Sequence, residues 1–365
     1  MRLEEKFKNK KILITGHTGF KGAWLTAWLN LLGAKITGVS LSKLDEPSHF
    51  SVLKMKENIN DVREDIRNYK QLEKIIFDLE PDYVFHLAAQ SIVRKSYDSP
   101  LDTWSTNVIG TINVLEALRK LQKKCNAVII TSDKCYDNVE WVWGYKETDR
   151  LGGPDPYSAS KGAAELAIKS YIKSYFPADT SSVRIASSRA GNVIGGGDWA
   201  QDRIIPDCVK AWSENNTVEL RKPNATRPWQ HVLEPLSGYL TLAIALDDNR
   251  DIHGESFNFG PPAQQNQSVL ELVTTMSNYW DQVKWIDISD KQKGPYESGL
   301  LKLNCDKALA LLSWTAVMGF HETVKMTAEW YKSYYIDNKN IIDVTNSQIQ
   351  LYIQVAKKAG LDWAQ

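Results

Sequence analysis

The chain has 365 residues, 43% of them hydrophobic, which suits a soluble protein of one large or two closely joined domains. Lys plus Arg equals Asp plus Glu at 44 each, so no basic field is available for nucleic acid; no apolar run reaches membrane-spanning length, and the charged start MRLEEKFKNK has no apolar signal core. Cys125, Cys135, Cys208 and Cys305 make no C-x-x-C pair and stand in no His-rich stretch, so they read as reduced thiols of a cytoplasmic protein, with neither a metal site nor a disulfide frame.

KILIT (Lys11–Thr15) is an apolar strand, and Phe20–Leu32 carries apolar residues at helical spacing. Between them lies GHTGFKG (Gly16–Gly22). Glycines in a strand-to-helix turn let the backbone pass close to a pyrophosphate, and the helix start offers N–H groups and a positive dipole end. The spacing is G-x-x-G-x-x-G and would be weak evidence alone; its place between strand and helix makes it a dinucleotide cradle of Gly16, Thr18, Gly19, Phe20, Lys21 and Gly22. AKITGVSL (Ala34–Leu41) is the second strand. The carboxylate expected at its end for the adenosine ribose of NAD is missing: the chain reads Ser40-Leu41-Ser42-Lys43, with Asp45 and Glu46 beyond, which leaves NAD versus NADP open. Asp65 and Ile66, after the third strand, are placed for the adenine.

PDYVFHLAA (Pro81–Ala89) is a later strand, its end carrying Leu87, Ala88 and Ala89 toward the cofactor. A helix follows over Asn107–Leu121, then the strand NAVIITS (Asn126–Ser132) ending in Thr131, the helix Ala159–Lys173 and the strand region SSVRIASSRA (Ser181–Ala190). This alternation predicts an α/β fold: a doubly wound parallel (Rossmann) sheet with helices on both faces. Residues 1–189 are expected to form that domain, with segments of about 227–260 returning to it. The Gly-, Pro-, Trp- and Arg-dense chain over 190–365 is expected to form mainly a smaller substrate-binding region over the strands' carboxyl ends. Trp24, Trp28 and Trp330 sit in helix-like patterns that suit core packing. Trp199 and Trp229 suit either packing or stacking on a ligand, and His86 suits a strand-end structural role.

Tyr157 and Lys161 stand in YSASK, four residues apart at a helix start and so on one face. An ammonium beside a phenol lowers the tyrosine pKa toward neutrality, and such a tyrosine takes a hydroxyl proton while the carbon gives its hydride to a nicotinamide.

With these motifs in place, the sequence resembles the extended short-chain dehydrogenase/reductases, and within them the nucleotide-sugar 4,6-dehydratases. The resemblance covers nearly the whole chain and rests on GHTGFKG, HLAAQS (His86–Ser91), NVIGT from Asn107, TSDKCY (Thr131–Tyr136), YSASK and RAGNVIGGGDW from Arg189. It implies bound NAD, a CDP-glucose substrate, and catalysis by Ser132, Asp133, Lys134, Tyr157 and Lys161. Tyr157 is implied as base at the C4 hydroxyl, with Ser132 donating a hydrogen bond to the C4 oxygen. Asp133 is the acid for the departing C6 hydroxyl, which requires burial to keep it protonated. Lys134 stands where the dTDP-glucose enzymes have glutamate, as C5 base or, if charged, as stabiliser of the enolate. Ser91, Asn192, Arg203, Arg227 and Asn258 are implied substrate contacts, the arginines near the diphosphate. A homodimer or homotetramer is expected, pairing through the helices Asn107–Leu121 and Ala159–Lys173. A nucleotide-sugar 4-epimerase shares Tyr157, Lys161 and NAD but needs no elimination pair; an inactive dinucleotide-binding regulator would be expected to lose Tyr157 and Lys161.

Overall fold

Seven parallel strands make the central sheet of the computed structural model, which describes residues 3–42, 46–281, 283–289 and 299–365. They are β1 (Lys11–Thr15), β2 (Lys35–Ser40), β3 (Asn60–Arg63), β4 (Tyr83–His86), β5 (Cys125–Ile130), β6 (Val183–Arg189) and β7 (Ser256–Asn258), in the spatial order β7-β6-β5-β4-β1-β2-β3. The strand order reverses between β1 and β4, which opens the crevice where doubly wound sheets bind ligands. β5 is buried at every position, as a central parallel strand covered on both faces must be.

The first connection is helix α1 (Phe20–Leu31), followed later by α2 (Tyr69–Leu79) and α3 (Gly110–Arg119). The helix expected from Asn107 is interrupted: Ser105–Ile109 forms a π-turn before α3. The Asn107 amide lies there, donating to Gln90 O (3.1 Å) and Ser160 Oγ (2.9 Å) and accepting from Gln90 N (2.9 Å). A widened turn where a side chain bridges to neighbouring elements is a local cause that no periodicity displays. Helix α4 (Pro156–Tyr175), capped by the Asp155 carboxylate on Ser158 N at 2.9 Å, begins three residues earlier than its apolar pattern and carries Tyr157 and Lys161 in its first two turns.

Beyond β6 the chain makes two short strand pairs with parallel register, Val193–Ile194 with Gln230–His231 and Val218–Leu220 with Trp285–Asp287, and one antiparallel pair, Thr226–Arg227 with Gln267–Ser268. Helices α5 (Ile204–Ser213), α6 (Leu233–Asp248), α7 (Phe320–Tyr335) and α8 (Ile341–Lys358) lie in this half, with the shorter helices Val269–Met276 and Asp306–Leu312. β7 returns to the sheet beside β6. α8 packs back on α1, Trp28 meeting Tyr352 and Trp363 edge-on at 5.8 and 6.0 Å. Trp24, Trp28 and Trp330 are fully buried in one apolar cluster that runs through both halves. Trp199 belongs to the same packing, edge-on to Trp330 and donating to Tyr335 Oη at 2.8 Å, and Trp229 is buried with its indole N–H on Gln267 O. Core packing therefore accounts for both.

Candidate active site

Gly16 has φ +76°, and a Cβ on it would come within 2.7 Å of Ala88 N; a Cβ on Gly22 would lie 2.1 Å from Gly16 O. Only glycine lets the β1–α1 turn close against the end of β4 in this way. No side chain caps the first turn of α1, so its N–H groups and positive end are left for an anion. This uncapped, Cβ-free cradle fits a dinucleotide pyrophosphate. Leu87 N and Ala88 N bond Thr15 O and Oγ1 at 3.0 and 3.3 Å, which fixes the opposite wall, and Ala89 continues it half-buried. His86, buried between Thr15 and Thr111, is held far below its usual pKa by burial and serves this wall as a neutral ring.

At the ribose end, Thr18 and Ser40 share a 2.7 Å hydroxyl contact. Lys43 and Asp45 lie outside the described residues, and Glu46 accepts from Ser51 at 2.7 Å. Asp65 is engaged by Arg67, whose guanidinium and backbone N–H donate to it at 2.6–3.0 Å; that hydrogen bonding holds its carboxyl below the usual range. Ile66 is buried against Gly110, so its side chain faces α3 and not the cleft.

The end of β5 carries the reacting groups. Ser132, Asp133, Tyr157 and Lys161 are all buried, and Lys134 is half-buried, its side chain with no hydrogen-bond or ion-pair partner among the described residues. Ser132 Oγ donates to Asp133 Oδ1 at 3.0 Å and accepts from Lys134 N at 3.2 Å, closing a 3-10 turn that carries Asp133 and Lys134 in succession. A hydroxyl has one proton, so the Ser132 hydrogen bond expected at the substrate is directed at Asp133 in this state. Asn192, at φ +53°, bonds the other Asp133 oxygen at 3.3 Å. Gly191 lies directly beside it: a Cβ there would come 1.9 Å from Asp133 Oδ2, so the carboxylate would have to move.

Electrostatics revise the expected tyrosine. Burial pushes the Tyr157 phenol up to about 12; the neighbouring Ser132 hydroxyl and Arg203 oppose this, and the Asp133 charge adds to it. Burial likewise pushes Lys161 down to about 8, against the pull of Cys135 and Glu165. Both groups lose their hydration, and desolvation penalises the phenolate and the ammonium alike, so proximity in sequence does not translate into the phenolate expected from it. Lys21 turns from the cradle toward the same centre: its ammonium lies 3.4 Å from Tyr239 Oη. Burial takes it to about 8, with Asp133 opposing and Arg203 and Lys161 reinforcing. Arg203 is oriented by Asp198 Oδ2 at 2.7 Å.

The structure thus brings together Lys21, Ser132, Asp133, Tyr157, Lys161, Asn192 and Arg203. It does not bring in Asn258, which is fully buried with its amide on Tyr145 O, Asn304 O and Tyr136 Oη. Those three partners engage both amide hydrogens of the side chain and one lone pair of its oxygen. Arg227 donates to Thr226 O and Gly299 O at 2.8 and 3.3 Å, and Ser91 is exposed beyond β4. Thr131, expected beside the cofactor, turns its hydroxyl onto Glu165 at 2.5 Å. Sequence reasoning missed Asp198, Gly191 and Tyr239. Asp198 had a signal, as the carboxylate five residues before Arg203; Tyr239 had none.

A family profile described as GDP-mannose 4,6 dehydratase matches residues 13–327. The CDP-glucose 4,6-dehydratase of Salmonella typhimurium is 42% identical over 356 residues, 96% of this chain and 98% of that protein. Among solved structures, an epimerase of Methanothermobacter thermautotrophicus superposes with a TM-score of 0.77 at 23% identity, over 91% of this chain and 95% of that one. The dTDP-glucose 4,6-dehydratase of Bacillus anthracis, solved in complex with NAD, gives 0.73 at 21% identity, over 90% and 99%.

Proposed function

The chain belongs to the GDP-mannose 4,6 dehydratase family, and from that premise we propose that it converts CDP-D-glucose to CDP-4-keto-6-deoxy-D-glucose. The observation that carries the reading is the adjacent Asp133 and Lys134 presented at the buried end of β5 beside Tyr157 and Lys161. A 4-epimerase needs the second pair and not the first. CDP as the nucleotide rests on the 42% identical relative.

Bound NAD⁺ supplies a hydride acceptor at C4 and a hydride donor at C6, held by Gly16, Thr18, Gly19, Phe20, Lys21 and Gly22. Tyr157 is the base for the C4 hydroxyl proton; its burial favours the neutral phenol, and the phenolate it needs would be favoured by the positive charges of Lys161 and of a bound nicotinamide ring together. The C4 ketone acidifies the C5 proton, which Lys134 removes. Asp133 must carry a proton for this step; it gives that proton to the C6 hydroxyl, which leaves as water, and becomes the carboxylate whose oxygens Ser132 and Asn192 hold. Arg203, Arg227 and Ser91 are proposed contacts for the diphosphate and sugar. Asp65, Ile66, Leu87, Ala88 and Ala89 are proposed as adenine and nicotinamide-ribose surroundings. The product is proposed to feed deoxysugar synthesis for cell-surface polysaccharide in the cytoplasm. Exposed Leu166 and Tyr175 on α4, with Ile109 before α3, support pairing of these helices in a homodimer, or two such dimers in a tetramer.

Purified protein with C4-deuterated CDP-glucose and NAD⁺ tests the reading. The label is expected at C6, solvent hydrogen at C5, and no net NADH. Label lost to solvent, or a C4 epimer as product, refutes it; dTDP-, UDP- and GDP-glucose run in parallel test the nucleotide.

A further inference from the structure

The steps above leave one buried ion pair without a role. Glu165 and Arg189 are each 3% exposed and meet as a two-pronged fork, Nε to Oε1 at 3.0 Å and Nη2 to Oε2 at 2.8 Å. Three hydroxyls complete the carboxylate: Thr131 donates to Oε1 at 2.5 Å, and Ser187 and Ser256 to Oε2 at 2.9 and 3.4 Å. The remaining guanidinium nitrogen, Nη1, donates to Tyr136 Oη at 2.8 Å and Glu147 O at 3.1 Å. The guanidinium also lies over the Tyr136 ring, 5.0 Å from its centre.

The partners of this pair are the neighbours of the reacting groups. Glu165 follows Lys161 by four residues and Tyr157 by eight, so the three lie along one face of α4. Thr131 immediately precedes Ser132-Asp133-Lys134, and Tyr136 comes just after them, so the chain is gripped on both sides of the loop. Arg189 stands two residues before Gly191, on which the Asp133 carboxylate rests. A sealed pair of this kind carries a desolvation penalty that an apolar pair of equal size avoids, so stability alone does not account for it. A bidentate fork does supply direction, because it fixes the plane of both partners.

We propose that the Glu165–Arg189 pair is a positioning device for the elimination, aligning the Asp133 loop, through Thr131 and Tyr136, against the Tyr157–Lys161 face of α4. The inference rests on the dehydratase reading.

Single-turnover water loss from CDP-glucose, read beside urea unfolding, tests it. Thr131→Val removes the loop-side hydroxyl and is expected to slow water loss about 10- to 100-fold with KM within threefold of wild type. Thr131→Ser, which keeps the hydroxyl, is expected to restore the rate to within threefold. Ser187→Ala removes a hydroxyl from the sheet side of the same carboxylate; it is expected to shift unfolding as much as Thr131→Val while slowing water loss less than threefold. The double variant Glu165→Gln/Arg189→Met removes both charges together and is expected to fold and to lose roughly 100-fold in water loss. Wild-type rates in folded Thr131→Val or in the folded double variant overturn the proposal, as does an equal rate loss in Ser187→Ala and Thr131→Val. A wild-type protein that does not convert CDP-glucose refutes the dehydratase reading instead, before any variant is compared.

Discussion

Glu165, under the reacting strand ends, and Glu234, where α6 meets the C-terminal segment, are both sealed from water, yet their carboxyls are driven in opposite directions. Burial pushes Glu165 up, but the Arg189 charge, its two hydrogen bonds and the Thr131 and Ser187 hydroxyls outweigh it and hold the group below the usual carboxylate value. Glu234 has no cation beside it among the described residues. Its Oε1 accepts from Val317 N and Met318 N at 2.9 and 2.7 Å, and Oε2 lies 2.7 Å from Tyr352 Oη. Burial dominates there and raises it to about 7. The first region is a charged interior that points side chains at a reaction; the second is a latch joining α6, the loop of 313–319 and α8. Burial alone does not set the state of a carboxyl: the counter-charge decides.

If this contrast is right, changes in the first region alter rates with little effect on folding, and changes in the second do the reverse. Tyr157→Phe is the most severe: formation of bound NADH from CDP-glucose is expected to fall roughly 10³–10⁴-fold while the urea midpoint holds, and stopped-flow absorbance reads it. NADH forming at the wild-type rate in that variant removes Tyr157 from the role of base. Asp133→Asn keeps the shape without the proton donor, so water loss is expected to slow roughly 10²–10³-fold while oxidation at C4 survives and NADH accumulates. Failure of both variants at the same step would undo the division of labour between them. Lys134→Met is expected to form NADH but to exchange C5 hydrogen with solvent roughly 10²-fold more slowly. Exchange at the wild-type rate leaves Lys134 as a charged stabiliser of the enolate and hands the C5 proton to another group.

The smallest effect sharpens the second region. The folded protein holds the Glu234 proton more tightly than the unfolded chain, whose carboxyl has its usual value of 4.5. That contribution, about 3 kcal/mol, is fully present below pH 4.5 and is lost as pH rises to about 7. Glu165, held low, has the opposite sense, its contribution present at neutral pH and lost in acid. Glu234→Gln is therefore expected to flatten the decline in urea-unfolding free energy between pH 5 and 7.5 relative to wild type, and to leave water loss within threefold. An unchanged slope would show that Glu234 does not titrate in this window.

The contiguous parts of the molecule were legible before folding. Parallel strands buried on both faces appear as apolar runs such as VII (Val128–Ile130), and the cradle glycines, TSDKCY and YSASK each lie within a few residues of one another. Asn258 misled because its short motif gives no hint that Tyr136, Tyr145 and Asn304 would enclose it. The π-turn at Asn107 was hidden for the same reason, since its cause is a contact to Ser160, 53 residues away.

By itself the sequence determined the alternation of strand and helix, the phosphate-facing turn and the types of reacting side chain, because these depend on local periodicity and on steric needs within single turns. The tertiary structure alone decided which ionisable groups share an interior. Glu165 finds Arg189 and Glu234 finds no cation among the described residues; Lys21 reaches Tyr239 across 218 residues, and Tyr157 loses hydration as fully as Lys161 does. Such pairings are set by how strands and helices stack. Desolvation and Coulomb energies depend on distance and burial in space, and neither quantity is encoded by separation along the chain.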